Sequence, residues 1–166
     1  MDKNKALDVL KSALLLEKRG KAFYAKAAEE TKNPGVKDIF LAMSKEEDLH
    51  VAQLTAQFQA VQKTGKFLPL DQIQGTNTVS TEVLDKNLMK QINAASFEAA
   101  AISAAMMMEE RAIKTYADRA REATDANEKA MYQWLVDWEK DHLRHLVSFD
   151  EELKEQIWND AHFWPM

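Results

Sequence analysis

Glu47-Asp48-Leu49-His50 sets an acid and an imidazole three residues apart, and Glu139-Lys140-Asp141-His142 repeats that pair 92 positions later. Thirty residues before Glu47 stands Glu17, seven ahead of Tyr24; thirty before Glu139 stands Glu109, seven ahead of Tyr116. Six potential metal ligands therefore occur as two copies of one pattern. In an α-helix, positions i and i+3 share a face, so Glu47 and His50 can aim at one target, as can Glu139 and His142. Seven residues make nearly two turns, which puts Tyr24 on the stripe of Glu17 and Tyr116 on that of Glu109.

The thirty-residue gaps predict two antiparallel helix hairpins, because residues on paired helices face each other only when the turn lies midway between them. For Glu17 and Glu47 the midpoint is residue 32, within Lys32-Asn33-Pro34-Gly35, a cluster that cannot continue a helix. For Glu109 and Glu139 it is residue 124, where Thr124-Asp125-Ala126-Asn127 supplies a turn and an N-cap. Each acid then stands about 22 Å from its turn, roughly 15 residues at 1.5 Å per residue, and all four helices bring their ligands to one height.

At these residues the chain resembles the ferritin-like di-iron carboxylate family, in which two helices each give one Glu and two others each give Glu-x-x-His. Its nearest relatives look like the rubrerythrin group, and the resemblance runs from about residue 4 to about residue 155. One Glu-x-x-His alone would read as a solvated, salt-bridging helix face. Two, each tied to an upstream Glu by the same spacing around a turn, are a far more specific signal.

The expected architecture is all-α, a ferritin-like four-helix bundle in a single domain spanning 1–166. Repeat one covers about 4–64, a crossover 65–94, repeat two about 95–158, and an aromatic tail 159–166. Helix one is expected from about Lys5 to Thr31, helix two from near Val36 to Thr64-Gly65, helix three from about Ser96 to Ala123, and helix four from about Asn127 to Trp158. Gly20 weakens helix one by about 1 kcal/mol relative to Ala and is read as a site of close helix packing. The crossover, with Pro69, Gly75 and a possible short helix over Val83–Ile92, is too long for a tight turn. It should run the length of the bundle and leave helices two and three parallel. The run Ala99-Ala100-Ala101-Ile102-Ser103-Ala104-Ala105 admits a close neighbour, inside the bundle or in a second subunit. Met106, Met107 and Met108 cannot all face inward, so one or two of them read as core filler and none as a thioether ligand. The tail Phe163-Trp164 should cap the bundle or pack on another subunit.

Composition narrows the partners. A formal charge of −5 over 166 residues disfavours nonspecific binding to nucleic acid or anionic membrane. No cysteine is present, which excludes disulfides, iron–sulfur clusters and a Cys-ligated rubredoxin module from these residues and is compatible with the cytoplasm. The apolar run Ala99–Met108 is far short of the ~20 residues that span a bilayer, so a soluble protein is expected.

Four carboxylates and two neutral imidazoles combine hard oxygen with nitrogen donors, a set that suits Fe, Mn or Zn in a two-metal site. The resemblance implies two iron ions per chain, without haem. It also implies bridging roles for Glu47 and Glu139, terminal roles for Glu17 and Glu109, and one metal each for His50 and His142. Tyr24 and Tyr116 either hydrogen-bond the terminal carboxylates or are ordinary core. Glu109 rather than Glu110 keeps the repeat, and His145, which has no counterpart in repeat one, reads as a surface or subunit-contact residue.

The activity implied is that of an oxidoreductase reducing hydrogen peroxide or dioxygen with electrons from a rubredoxin-type protein, in a homo-oligomer of which a dimer is the favoured form. Rubrerythrins proper carry a further Glu one turn after the helix-three ligand, where this chain has Ala112. A ferroxidase or iron-handling role, or a bundle merely stabilised by metal, therefore stands beside peroxide reduction.

Overall fold

The helix boundaries in the computed structural model follow from capping chemistry at each turn. The structure describes residues 2–70 and 97–160. Helix α1 spans Lys3–Glu30, α2 Pro34–Thr64, α3 Phe97–Glu122 and α4 Ala126–Asp160. The Asn33 side chain accepts from Gly35 N at 3.0 Å and Val36 N at 3.2 Å, capping α2. Pro34 opens that helix at its first position, where a missing N–H costs nothing. This is why α2 begins two residues before the expected Val36. At its far end Gly65 adopts φ 74°, a left-handed conformation that closes the helix. Asp125 caps α4 in the same manner as Asn33, accepting from Asn127 N at 2.9 Å and Glu128 N at 3.0 Å.

α1 pairs with α2, and α3 with α4, as the two expected antiparallel hairpins of a four-helix bundle. Glu98, at the start of α3, accepts from the Thr31 hydroxyl at 2.7 Å and Lys32 N at 3.0 Å, anchoring α3 beside the first hairpin's turn. Phe67 O accepts from Asn127 Nδ2 at 3.2 Å, so the chain leaving α2 lies at the opposite end, beside the start of α4. Residues 70 and 97 thus stand at opposite ends of the bundle, and α2 and α3 run parallel as predicted. The crossover beyond residue 70, its expected short helix over Val83–Ile92, and the Phe163-Trp164 tail lie outside the described residues.

Two apolar clusters fill the bundle. One gathers Tyr24, Phe40, Ala101, Ala105, Leu146 and Phe149 near the Asn33 turn; the other gathers Leu10, Leu54, Tyr116, Met131, Tyr132 and Leu135 toward the opposite end. Between them, at the height of Glu17 and Glu139, lies a layer of buried polar groups. The small-residue run of α3 turns inward, with Ala101 and Ala105 buried in the first cluster. Met107 is 73% exposed and Met106 only packs at the cluster's margin, so the three methionines divide as the helical period requires. Among the described residues, no helix is long and apolar enough to cross a membrane.

Ala105 is fully buried within the first cluster, so Ala105→Leu should overpack it and lower unfolding free energy by about 1–3 kcal/mol. Urea unfolding followed by circular dichroism measures this, and an unchanged midpoint would place that face of α3 outside the core.

Candidate metal centre

The six residues picked out by spacing arrive in the central layer from all four helices: Glu17 on α1, Glu47 and His50 on α2, Glu109 on α3, Glu139 and His142 on α4. None is more than 3% exposed, and they form two overlapping groups. Glu17, Glu47, His50 and Glu139 converge with ligand atoms within 4.8 Å of one another, and so do Glu47, Glu109, Glu139 and His142. Glu47 and Glu139 belong to both. Glu110, the alternative in α3, is exposed, and His145 is half-buried and belongs to neither group.

The oxygens divide the same way. His50 Nδ1 lies 2.9 Å from Glu17, 3.2 Å from Glu47 Oε2 and 3.3 Å from Glu139 Oε1. His142 Nδ1 lies 3.2 Å from Glu139 Oε2, 3.5 Å from Glu109 and 3.7 Å from Glu47 Oε1. Glu47 and Glu139 each turn one oxygen to either imidazole, whereas Glu17 and Glu109 each face one. Both oxygens of Glu139 and the Nδ1 of His142 are buried without a hydrogen-bond partner among the described residues. Such orphaned acceptors on α4, facing carboxylates and an imidazole brought in by the other three helices, fit a pair of divalent cations.

The tyrosines are hydrogen-bonded to the acids, and the pairing crosses between repeats. Tyr24 of α1 donates to Glu109 of α3, and Tyr116 of α3 donates to Glu17 of α1. Each phenol is fully buried, and burial together with its carboxylate partner pushes it well above its ordinary pKa, so it stays a donor.

Three features of the site escape the spacing argument. Glu46, buried beside Glu47, accepts from or donates to His142 Nε2 at 2.7 Å. Trp134 and Trp138 stand edge-on to the His50 ring, with centroids 5.6 and 5.3 Å away. Gly20, read from sequence as close helix packing, is instead where α1 makes room for Glu47: a Cβ there would lie 3.3 Å from that carboxylate's carbon and one oxygen. The signal for Glu46 and Trp138 was a break in the repeat, since they occupy equivalent positions 92 residues apart.

Burial and mutual crowding shift the protonation of the layer's groups in opposite directions. Burial, then repulsion from Glu139, raises Glu47 well above the usual carboxylate range. Burial raises Glu109 from 4.5 to about 7. Burial opposes charge on the imidazoles too, yet the surrounding carboxylates raise both His50 and His142. Glu139 also suffers desolvation, but the two flanking imidazoles hold it well below the usual range.

A model of the rubrerythrin family matches residues 8–149. No curated protein and no solved structure matches the chain.

Two outcomes are expected. In Gly20→Ala the helix gains about 1 kcal/mol of propensity while Glu47 is displaced. The chelated protein should therefore melt no lower than the parent, yet bind divalent cations more weakly in a calorimetric titration. Unchanged affinity would show that Glu47 tolerates the shift.

The second concerns pH. Below the ordinary carboxylate pKa, folded and unfolded chains both keep the protons of Glu47 and Glu109, and stability is full. As pH rises from 4.5 through about 7, the unfolded chain releases protons that the folded chain retains, so stability falls. Glu139 acts in the opposite sense, at more acid pH. Denaturant unfolding of chelated protein across this window should show the decline, and a rising stability would contradict it.

Proposed function

The chain belongs to the rubrerythrin family of ferritin-like di-iron proteins, and we propose that Glu17, Glu47, His50, Glu109, Glu139 and His142 hold two iron ions with which it reduces hydrogen peroxide. The observation that carries this reading is the overlap of two four-residue groups through Glu47 and Glu139. Two positions sharing two carboxylates suit ions close enough to act on one small substrate. Four carboxylate charges balance two divalent cations, which removes the cost of an acidic layer buried between apolar clusters. When bound, iron supplies two electrons per cycle.

The chain's own residues do the rest. Glu47 and Glu139 would serve both positions, as they belong to both groups; Glu17 with His50, and Glu109 with His142, would complete them. Tyr24 and Tyr116 each donate a hydrogen bond to one oxygen of a terminal acid, Glu109 and Glu17 respectively, which leaves the other oxygen free to ligate. The apolar clusters above and below exclude bulk water from the reacting centre. The 166 residues contain no cysteine, so no iron–sulfur relay is built from them, and re-reduction falls to an external donor protein of the rubredoxin type.

A second reading, ferroxidase or iron handling, is favoured by Ala112. It is buried in apolar surroundings where rubrerythrins proper place a further carboxylate, so this site has no alternative ligand from α3.

Metal analysis and stopped-flow kinetics on one preparation test both. About two irons per chain are expected, falling sharply in Glu139→Ala and staying unchanged in Glu110→Ala. The reduced protein should consume about one peroxide per pair of irons, then stop until a donor and its reductase are added. Rapid reoxidation by oxygen with inertness toward peroxide would select the ferroxidase. A redox-inert zinc site would refute both.

A further inference from the structure

The two halves of the centre are related by sequence repeat, yet the far sides of their imidazoles meet opposite chemistry. His142 Nε2 lies 2.7 Å from Glu46 Oε2, while its Nδ1, the nitrogen turned to the central carboxylates, has no hydrogen bond among the described residues. His50 is arranged in reverse. Its Nδ1 is hydrogen-bonded to Glu17 at 2.9 Å and Glu47 at 3.2 Å, while its Nε2 is buried without a partner among the described residues. The residue equivalent to Glu46 is Trp138, which with Trp134 forms an aromatic wall around the His50 ring.

A neutral imidazole that ligates through Nδ1 must carry its proton on Nε2. For His142 that proton has a carboxylate waiting, so ligation changes nothing on its far side. His50 must surrender hydrogen bonds from Nδ1 and hold an Nε2–H toward rings that offer no lone pair. A carboxylate behind a ligating imidazole fixes its tautomer and raises its donor strength, and its loss typically costs 10–100-fold in metal affinity.

We propose that the two metal positions are unequal, with the ion at Glu109 and His142 held firmly through Glu46 and the ion at Glu17 and His50 held weakly and exchanged first. Glu46 is a positioning residue: it acts on the metal through His142. Trp138 sets the weaker side by occupying the place where a second such carboxylate would stand. This rests on the ligand set proposed above and adds the order in which its positions fill.

The full chain, stripped of metal with chelator, is titrated with Zn²⁺ by calorimetry while the ring nitrogens of its histidines are followed by ¹⁵N NMR. Two steps are expected, separated by about 10–100-fold in dissociation constant, with His142 Nδ1 taking its metal-bound shift in the first and His50 Nδ1 in the second. Glu46→Leu should weaken the first step by a similar factor and bring the two together. Glu46→Gln, which keeps a carbonyl acceptor, should restore part of the gap, and Trp138→Phe, which keeps the apolar wall, should retain both steps. Melting curves of the metal-free variants show that they fold. Simultaneous shifts of the two histidines, His50 shifting first, or a Glu46→Leu titration identical to the parent would overturn the inequality while leaving the two-metal reading intact. Absence of any binding at the six residues would overturn both.

Discussion

Four carboxylates and two imidazoles share one buried layer halfway along the bundle, and the energetics of that layer govern the rest of the molecule. Burying a charge costs several kcal/mol unless a partner neutralises it. In the chain alone the neutralising agents are protons, retained on Glu47 and Glu109, and the imidazoles around Glu139. Divalent cations would do the same work with better geometry, because they would satisfy the two Glu139 oxygens that have no hydrogen-bond partner among the described residues. The apolar clusters on either side raise the cost of leaving the layer's charges uncompensated.

The turns serve this layer. Asn33 and Asp125 cap the second helix of each hairpin, and their positions set all four acids at one height. Within each hairpin, helix packing supplies cohesion; between hairpins, the crossed phenols contribute a specific tie. Tyr24 reaches from the first repeat to Glu109 and Tyr116 from the second to Glu17, so each repeat immobilises the other's acid. A buried hydrogen bond of this kind is costly to break, because either partner left alone would be buried unsatisfied. The site is therefore also part of what docks the hairpins.

Departures from the repeat carry the chemistry that is particular to this chain. Glu46 and Trp138 occupy equivalent positions and make the environments of His142 and His50 unlike. Gly20 and Ala112 are likewise equivalent in the repeat, and both are small: the first clears space for Glu47, and the second leaves α3 without an added carboxylate. Two groups of one composition, Glu17 with His50 and Glu109 with His142, thus stand in unlike surroundings.

The all-α class, the two hairpins, the parallel middle helices and the six converging residues were legible in the sequence, because each depends on helical period and on the distance from a breaker, and both are properties of the chain taken locally. Glu109 could be chosen over Glu110 for the same reason, as adjacent residues point about 100° apart on a helix. What only the tertiary structure decided concerns contacts across helices that no local period encodes. These are the exchange of tyrosines between repeats, the inward turn of the Ala101–Ala105 face, the use of Gly20 to admit a carboxylate, and the pairing of Glu46 with an imidazole 96 residues away. Periodicity gives the direction in which a side chain leaves its helix; what it meets there is set by the rotation and depth of the neighbouring helices, and those follow from packing the whole core at once.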